Sequence, residues 1–214
     1  YPFCTIDPNV GIVPVPDTRL AKLASLVKPE NTVPTTMEFV DIAGLVAGAS
    51  RGEGLGNQFL ANIRETDAIA HVVRCFESDD VHHVEGRVDP LGDIETINTE
   101  LLLADLDAVE RAAERYEKRS KSGDKAAIAA RDALRAMAGA LDEGIPVRAQ
   151  TLSEAAAEVV RELHLLTAKP VLYVANVDED GFEDNPHLAA VESLAARENA
   201  LVVALCAGIE AELS

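Results

Sequence analysis

The sequence predicts an α/β protein built on a parallel sheet, with an antiparallel helical hairpin inserted into it. Short β-branched runs alternate with helical segments, as they do when strands are joined by crossover helices. A stretch of about fifty residues between two of the strands repeats its apolar positions in steps of four and three, the mark of paired helices. The chemistry-bearing residues Asp41, Asn176 and Cys206-Ala207 all follow strand-like runs, where ligands of open α/β sheets bind.

The elements follow in order. Val10 to Val15 is a β-rich run closed by Pro16-Asp17, and Arg19 to Val27 carries Leu20, Leu23, Ala24 and Val27 at helical spacing. Thr35 to Ile42 alternates and then turns apolar, as in a strand entering a sheet covered on both faces. Gly44, Gly48, Gly52, Gly54 and Gly56 then lie within thirteen residues, a density that suits a loop and no regular element. A helix from about Asn57 to Glu65 and a buried strand over Ala68 to Phe76 come next. From Ile94 to Glu143, the sets Leu102, Leu106, Val109, Ala113, Tyr116 and Ala127, Ala130, Leu134, Met137, Leu141 flank the break Ser122-Gly123-Asp124. They predict two antiparallel arms of about 20 residues, each roughly 30 Å long. Ser153 to His164 reads as a third helix, Val171 to Val177 as a buried strand, Asn185 to Glu198 as a helix and Leu201 to Leu205 as the last strand. Asp41 and Asn176 stand 135 residues apart, more than twice what two βα units of about 30 residues need. The expected organisation is therefore an α/β domain over 1–93 and 165–214, interrupted by a helical domain over 94–164.

Composition narrows the function. A formal net charge of −18 excludes a free-standing coat for bare nucleic acid, which needs clustered cations to release counterions, and no direct DNA binding is expected. Hydrophobic and charged contents of 48% and 26% are those of a globular protein and exclude disorder. No run approaches the roughly 20 apolar residues of a membrane span, and no signal-peptide pattern opens the chain, so a cytoplasmic location is expected. Cys4, Cys75 and Cys206 lack C-x-x-C spacing and read as buried free thiols. The chain begins at Tyr1 with both methionines internal, and reads as a fragment or processed form.

Asp41-Ile42-Ala43-Gly44 is a D-x-x-G after a strand: the carboxylate can hold Mg²⁺ through water and the glycine N–H can meet a terminal phosphate. Thr5, between apolar neighbours, reads as a turn residue or as a second Mg²⁺-binding hydroxyl. Asn176-Val177-Asp178-Glu179 occupies the place of the N-K-x-D that reads guanine, with Glu179 at the Asp position and Val177 at the Lys position. It reads equally as a solvated acidic turn. A carboxylate set one methylene further out is displaced from the guanine edge, so guanine selectivity is expected to be lost.

The run D-I-A-G-L-V-A-G-A-S-R-G-E-G-L-G-N-Q-F-L over Asp41 to Leu60, with P-F-C-T-I-D-P-N before it and N-V-D-E and C-A-G-I-E-A-E after it, resembles the YchF, or Obg-like ATPase, family across essentially the whole chain. The resemblance implies a P-loop NTPase with a G-domain-like parallel sheet that prefers ATP to GTP, uses Mg²⁺ and associates with the ribosome, its large subunit in particular. Carried over by position, Thr5 and Asp41 serve the metal, Gly44 the γ-phosphate, and Asn176 with the Val177 backbone the adenine. Glu179 fills the altered specificity position, Cys206-Ala207 the loop beside the base, and Leu45 the place of the water-orienting Gln. The family's G-x-x-x-x-G-K-[ST] loop is not found in these residues and is expected ahead of Tyr1, as its TGS domain is expected after Ser214. Residues 1–214 on their own are accordingly expected to be inactive.

Arg111, Arg115, Lys118, Arg119, Lys121 and Lys125 gather near the hairpin tip and read either as a solvated surface or as a patch for ribosomal RNA. His82-His83 does not read as a metal site, because adjacent side chains point apart. Two other functions fit the residues: a GTP-hydrolysing Obg-like switch, and a nucleotide-independent module whose sheet displays the hairpin.

Overall fold

The computed structural model describes residues 9–42, 55–78 and 88–213. They fall into two units, the first within 1–44 and the second within 45–214.

The first unit is a two-stranded sheet of β1 (Asn9–Pro14) and β2 (Thr36–Asp41), joined through α1 (Thr18–Val27). Its strand–helix–strand order led to an expectation of parallel pairing, and the pairing is antiparallel, with Val10 opposite Val40 and Val13 opposite Met37. The reason lies in the connection. Val15 N donates to Thr35 O at 2.8 Å, so the chain leaves and re-enters at the same end of the ladder. Residues 16–34 form an excursion from that end and no crossover. Asp17 caps α1 by accepting from Arg19 N, and Lys28 ends the helix in the left-handed region at φ 50°. Phe39 and Met37, read as entering a doubly covered sheet, are half exposed.

In the second unit, β3 (Ile69–Arg74), β4 (Val171–Asn176) and β5 (Leu201–Leu205) form a parallel sheet in the order β3-β4-β5. Val73, Ala175 and Val177 join Leu188, Val191 and Ala195 of α6 (Pro186–Glu198) and Ile94 of α3 (Pro90–Ser120) in one core. Helices were expected on both faces. On the opposite face Val72 is 65% and Leu201 74% exposed.

The inserted hairpin is present. α3 pairs with α4 (Lys125–Asp142) around a turn at Gly123, whose φ of +80° needs a glycine, and Asp124 caps α4 through Ala126 N. Its core holds Val109, Ala112, Leu134, Met137 and Leu141 with Val159 of α5 (Glu154–Leu163). The arms are unequal, 31 and 18 residues instead of about 20 each. Asp89-Pro90 starts α3 early, with Asp89 accepting from Gly92 N and proline in the first turn. That extension puts Ile94 in the sheet core while Val109 and Ala112, on the same helix, belong to the hairpin core.

One buried carboxylate joins the two. Asp105, fully buried on α3, accepts from Leu166 N at 2.9 Å, Thr167 N at 2.7 Å and Thr167 Oγ1 at 2.7 Å. Thr167 Oγ1 in turn accepts from Val147 N at 3.1 Å. Burial raises the Asp105 carboxyl above its ordinary range, against the lowering effect of these donors. α2 (Leu55–Arg64) is fastened nearby: Lys169 Nζ donates to Arg64 O at 3.2 Å and to Thr66 O, and the Arg64 guanidinium reaches the carbonyls of Leu163 and His164.

His71 lies against Tyr173, with ring centroids 5.8 Å apart. Burial lowers its pKa from 6.5 to about 4, outweighing the opposite pull of Asp93 and Glu198. The unfolded chain takes up this proton below pH 6.5 and the folded chain only near pH 4, so stability is complete above 6.5 and is lost as pH falls through that window. At about 1.4 kcal/mol per pKa unit the loss is on the order of 3 kcal/mol. Urea unfolding at pH 7 and pH 4.5 should show this fall in the native chain and a much flatter response in His71→Gln.

Candidate functional site at the strand ends

Parallel pairing aligns the carboxyl ends of the three strands, with Arg74, Asn176 and Leu205 in register. The loops that follow start side by side and are bonded together at once. Cys75 N donates to Asn176 O at 2.8 Å and Val177 N to Leu205 O at 2.9 Å, each prolonging the ladder by one residue. Ala207 N donates to Asn176 Oδ1 at 3.0 Å. The Asn176 side chain thus ties the loop after β4 to the loop after β5, while its Nδ2 donates to no group among the described residues. Asn176, Val177, Cys206 and Ala207 are therefore brought together.

They differ in what they present. Val177 is 2% exposed and points into the core among Val73, Leu188 and Val191, so its side chain does not face a base, and its N–H is already given to Leu205. Cys206 is buried, and its carbonyl accepts from Glu210 N at 3.1 Å to begin α7 (Ala207–Leu213), a helix the sequence reading did not include. Ala207 and Glu179 are exposed. Glu179 sits in a turn closed by Gly181 N donating to Asp178 O at 3.1 Å.

Three residues outside the expected set shape this end of the sheet. Gly181 is buried, and a Cβ there would stand 2.1 Å from Asp178 Oδ1. Asn185 caps α6 and also donates to Cys75 O at 2.8 Å and Gly181 O at 3.0 Å. Arg74 folds back on the loop after β3, its Nε on Phe76 O at 3.0 Å and its guanidinium 4.8 Å from the Phe76 ring centre. The Asn185-Pro186 pair could have signalled the cap; nothing local in sequence signals the bonds to β3. Cys75 and Cys206 are free and buried as expected, and burial pushes the Cys75 thiol up to about 11, which makes it a poor nucleophile.

Asp41 ends β2 opposite Asn9 in the first unit, exposed and without an ion pair among the described residues. Its carboxylate oxygens are hard donors of the kind Mg²⁺ takes. Thr5, Gly44 and Leu45, with Cys4, most of the glycine-rich run and His82-His83, lie outside the described residues.

At the hairpin tip all six expected basic side chains are exposed. Arg111 pairs with Asp107, and Arg119 stacks 5.0 Å from the Tyr116 ring centre. Arg115, Lys118, Lys121 and Lys125 have no ion-pair partner among the described residues. No described helix is long and apolar enough to cross a membrane.

The chain is similar to known proteins along its whole length. The family model for 50S ribosome-binding GTPases matches residues 1–104. The Haemophilus influenzae protein named ribosome-binding ATPase YchF is 58% identical over 214 residues, which cover 100% of this chain and 59% of that protein. All of the chain is homologous to the YchF family. The Bacillus subtilis protein of the same name is 54% identical over 217 residues, again 59% of its length. The solved structure of the Schizosaccharomyces pombe YchF GTPase matches with a TM-score of 0.81 at 35% identity, covering 100% of this chain and 59% of that one. The chain spans about three fifths of the length of the relatives it matches. The P-loop NTPase fold expected of it is thereby established, with the parallel sheet and long helices in place.

Replacing Asn176 by Ala removes the acceptor for Ala207 N. A neutral hydrogen bond is worth about 1 kcal/mol net. Urea unfolding of Asn176→Ala should therefore show a loss of that size, with faster amide exchange at Ala207.

Proposed function

We propose that the protein is a nucleotide-dependent switch of the ribosome that binds and hydrolyses ATP with Mg²⁺ and prefers ATP to GTP. The observation that carries this reading is the convergence of Asn176, Glu179 and Cys206-Ala207 at the aligned ends of a parallel sheet, in a chain homologous to proteins named ribosome-binding ATPases. In this reading Asp41 and Thr5 hold the Mg²⁺, which neutralises charge developing on the phosphates. Gly44 offers its N–H to the γ-phosphate. Leu45 takes the place of a water-orienting Gln and keeps that side of the site apolar. Asn176, with its unengaged Nδ2, and the loop at Cys206-Ala207 flank the base, while the exposed Glu179 carboxylate stands where guanine readers carry Asp. Residues 94–164 form the inserted arm, and its basic tip meets ribosomal RNA, on the large subunit.

The relatives are described both as ATPases and as GTPases, so base preference is the property to test. In a chain extended ahead of Tyr1 by a G-x-x-x-x-G-K-[ST] loop, calorimetry with Mg²⁺ should give tighter binding of ATP than of GTP. Glu179→Asp should narrow that gap. The Val177 side chain is buried, and a Lys there would place an ammonium among apolar side chains. Equal affinities for ATP and GTP in the native sequence would refute the preference.

For the ribosome, changing Arg115, Lys118, Arg119 and Lys121 together to Glu should abolish co-sedimentation at moderate salt and leave circular dichroism unchanged. Four exposed side chains can be reversed without touching the hairpin core. Binding that survives the reversal would move the contact off the tip.

A further inference from the structure

The loop that carries Glu179 is held by one amide. Asn185 Oδ1 accepts from His187 N at 2.9 Å and Leu188 N at 3.2 Å, capping α6. Its Nδ2 donates to Cys75 O at 2.8 Å, at the end of β3, and to Gly181 O at 3.0 Å, within the turn after β4. Both hydrogens and both lone pairs of the amide are used. A cap alone does not call for asparagine, because Ser, Thr and Asp serve as well. Only an amide accepts two N–H groups on one side while donating to two carbonyls on the other; Asp would turn a second oxygen toward the oxygens of Cys75 and Gly181. Gly181 completes the arrangement: a Cβ there would meet Asp178 Oδ1 at 2.1 Å and both Asp178 N and Asn185 Nδ2 at 3.2 Å.

We propose that Asn185 is a positioning residue for base recognition. Its side chain staples the turn 178–184 to the end of β3 and thereby sets where the Glu179 carboxylate stands relative to Asn176. This rests on the nucleotide-binding reading above and names the group that shapes its base side. The neighbouring contact of His187 Nε2 with Glu77 Oε1 at 3.3 Å joins the first turn of α6 to the loop after β3 at a more exposed position.

Asn185→Asp keeps the cap and removes both donated bonds, and Gly181→Ala crowds the same amide, its Cβ falling 3.2 Å from Asn185 Nδ2 and from Asp178 N. The first measurement needs no nucleotide: in the 214-residue chain, amides 177–184 should exchange faster in Asn185→Asp than in the native sequence, with the α6 amides still protected. Unchanged exchange in the turn would overturn the staple. The second compares ATP, GTP and tripolyphosphate, each with Mg²⁺, on the chain extended by a phosphate loop. Both variants should weaken ATP about tenfold, equivalent to about 1.4 kcal/mol, and leave tripolyphosphate, which has no base, unaffected. Unchanged ATP affinity in the variants, or an equal loss for tripolyphosphate, would reduce Asn185 to a structural role and overturn the proposal. A native sequence that binds ATP no more tightly than tripolyphosphate would instead sink the base-site reading itself, and the proposal with it. Should Asn185→Asp fail to fold, Gly181→Ala decides the question alone.

Discussion

A carboxylate without water must find its partners inside the protein, and in this fold Asp105 finds them on the segment that leads into β4. An unpaired buried acceptor costs on the order of 1–3 kcal/mol, and more when charged. The three donors from Leu166 and Thr167 therefore fix the point on α3 against which the chain must return. Much follows from that register. Thr167 holds Val147, where the hairpin ends, and two residues on Lys169 reaches the carbonyls that close α2. α3, roughly 46 Å long at 1.5 Å per residue, carries Ile94 in one core and Val109 in the other. The inserted arm is thus continuous with the body of its unit.

The same economy governs the strand ends. Backbone groups just past the three strands would be left unpaired if their loops wandered, and these are met by a neighbouring segment: Val177 N by Leu205, Cys75 O by Asn185, Ala207 N by Asn176. What is left over is chemically informative. The Nδ2 of Asn176 has no partner among the described residues, and Glu179 is exposed. In a chain of net charge −18, six exposed cations lie between residues 111 and 125, along the end of α3 and the turn into α4.

The hairpin was legible because its signal is redundant. Apolar steps of four and three, the Gly123 turn and the Asp124 cap all agree, so its core residues Val109, Leu134, Met137 and Leu141 could be named in advance. The start of α3 was missed by four residues because Asp89-Pro90 precedes the periodic region instead of lying in it. The β1–β2 pair was misread for a different reason: alternation reports which side of a strand is apolar and says nothing of the direction of its partner. At the site, strand ends were legible because a β-branched run gives way to polar residues. The orientation of Val177 was not, since a single residue past a strand can turn to either face.

By itself the sequence determined the alternation of strands and helices, the inserted hairpin, the free buried thiols and the family to which the chain is homologous, because each is written in local spacing or in a long unbroken motif. Only the tertiary structure decided the antiparallel turn of β1 on β2, the sharing of α3 between two cores, and the burial of Asp105. It alone brought Asn185 to the carbonyl of Cys75, 110 residues away. The physical reason is common to all four. Hydrogen-bond partners and buried neighbours far apart in sequence are chosen by which backbone groups would otherwise go unpaired, and that account closes only when the whole chain is folded.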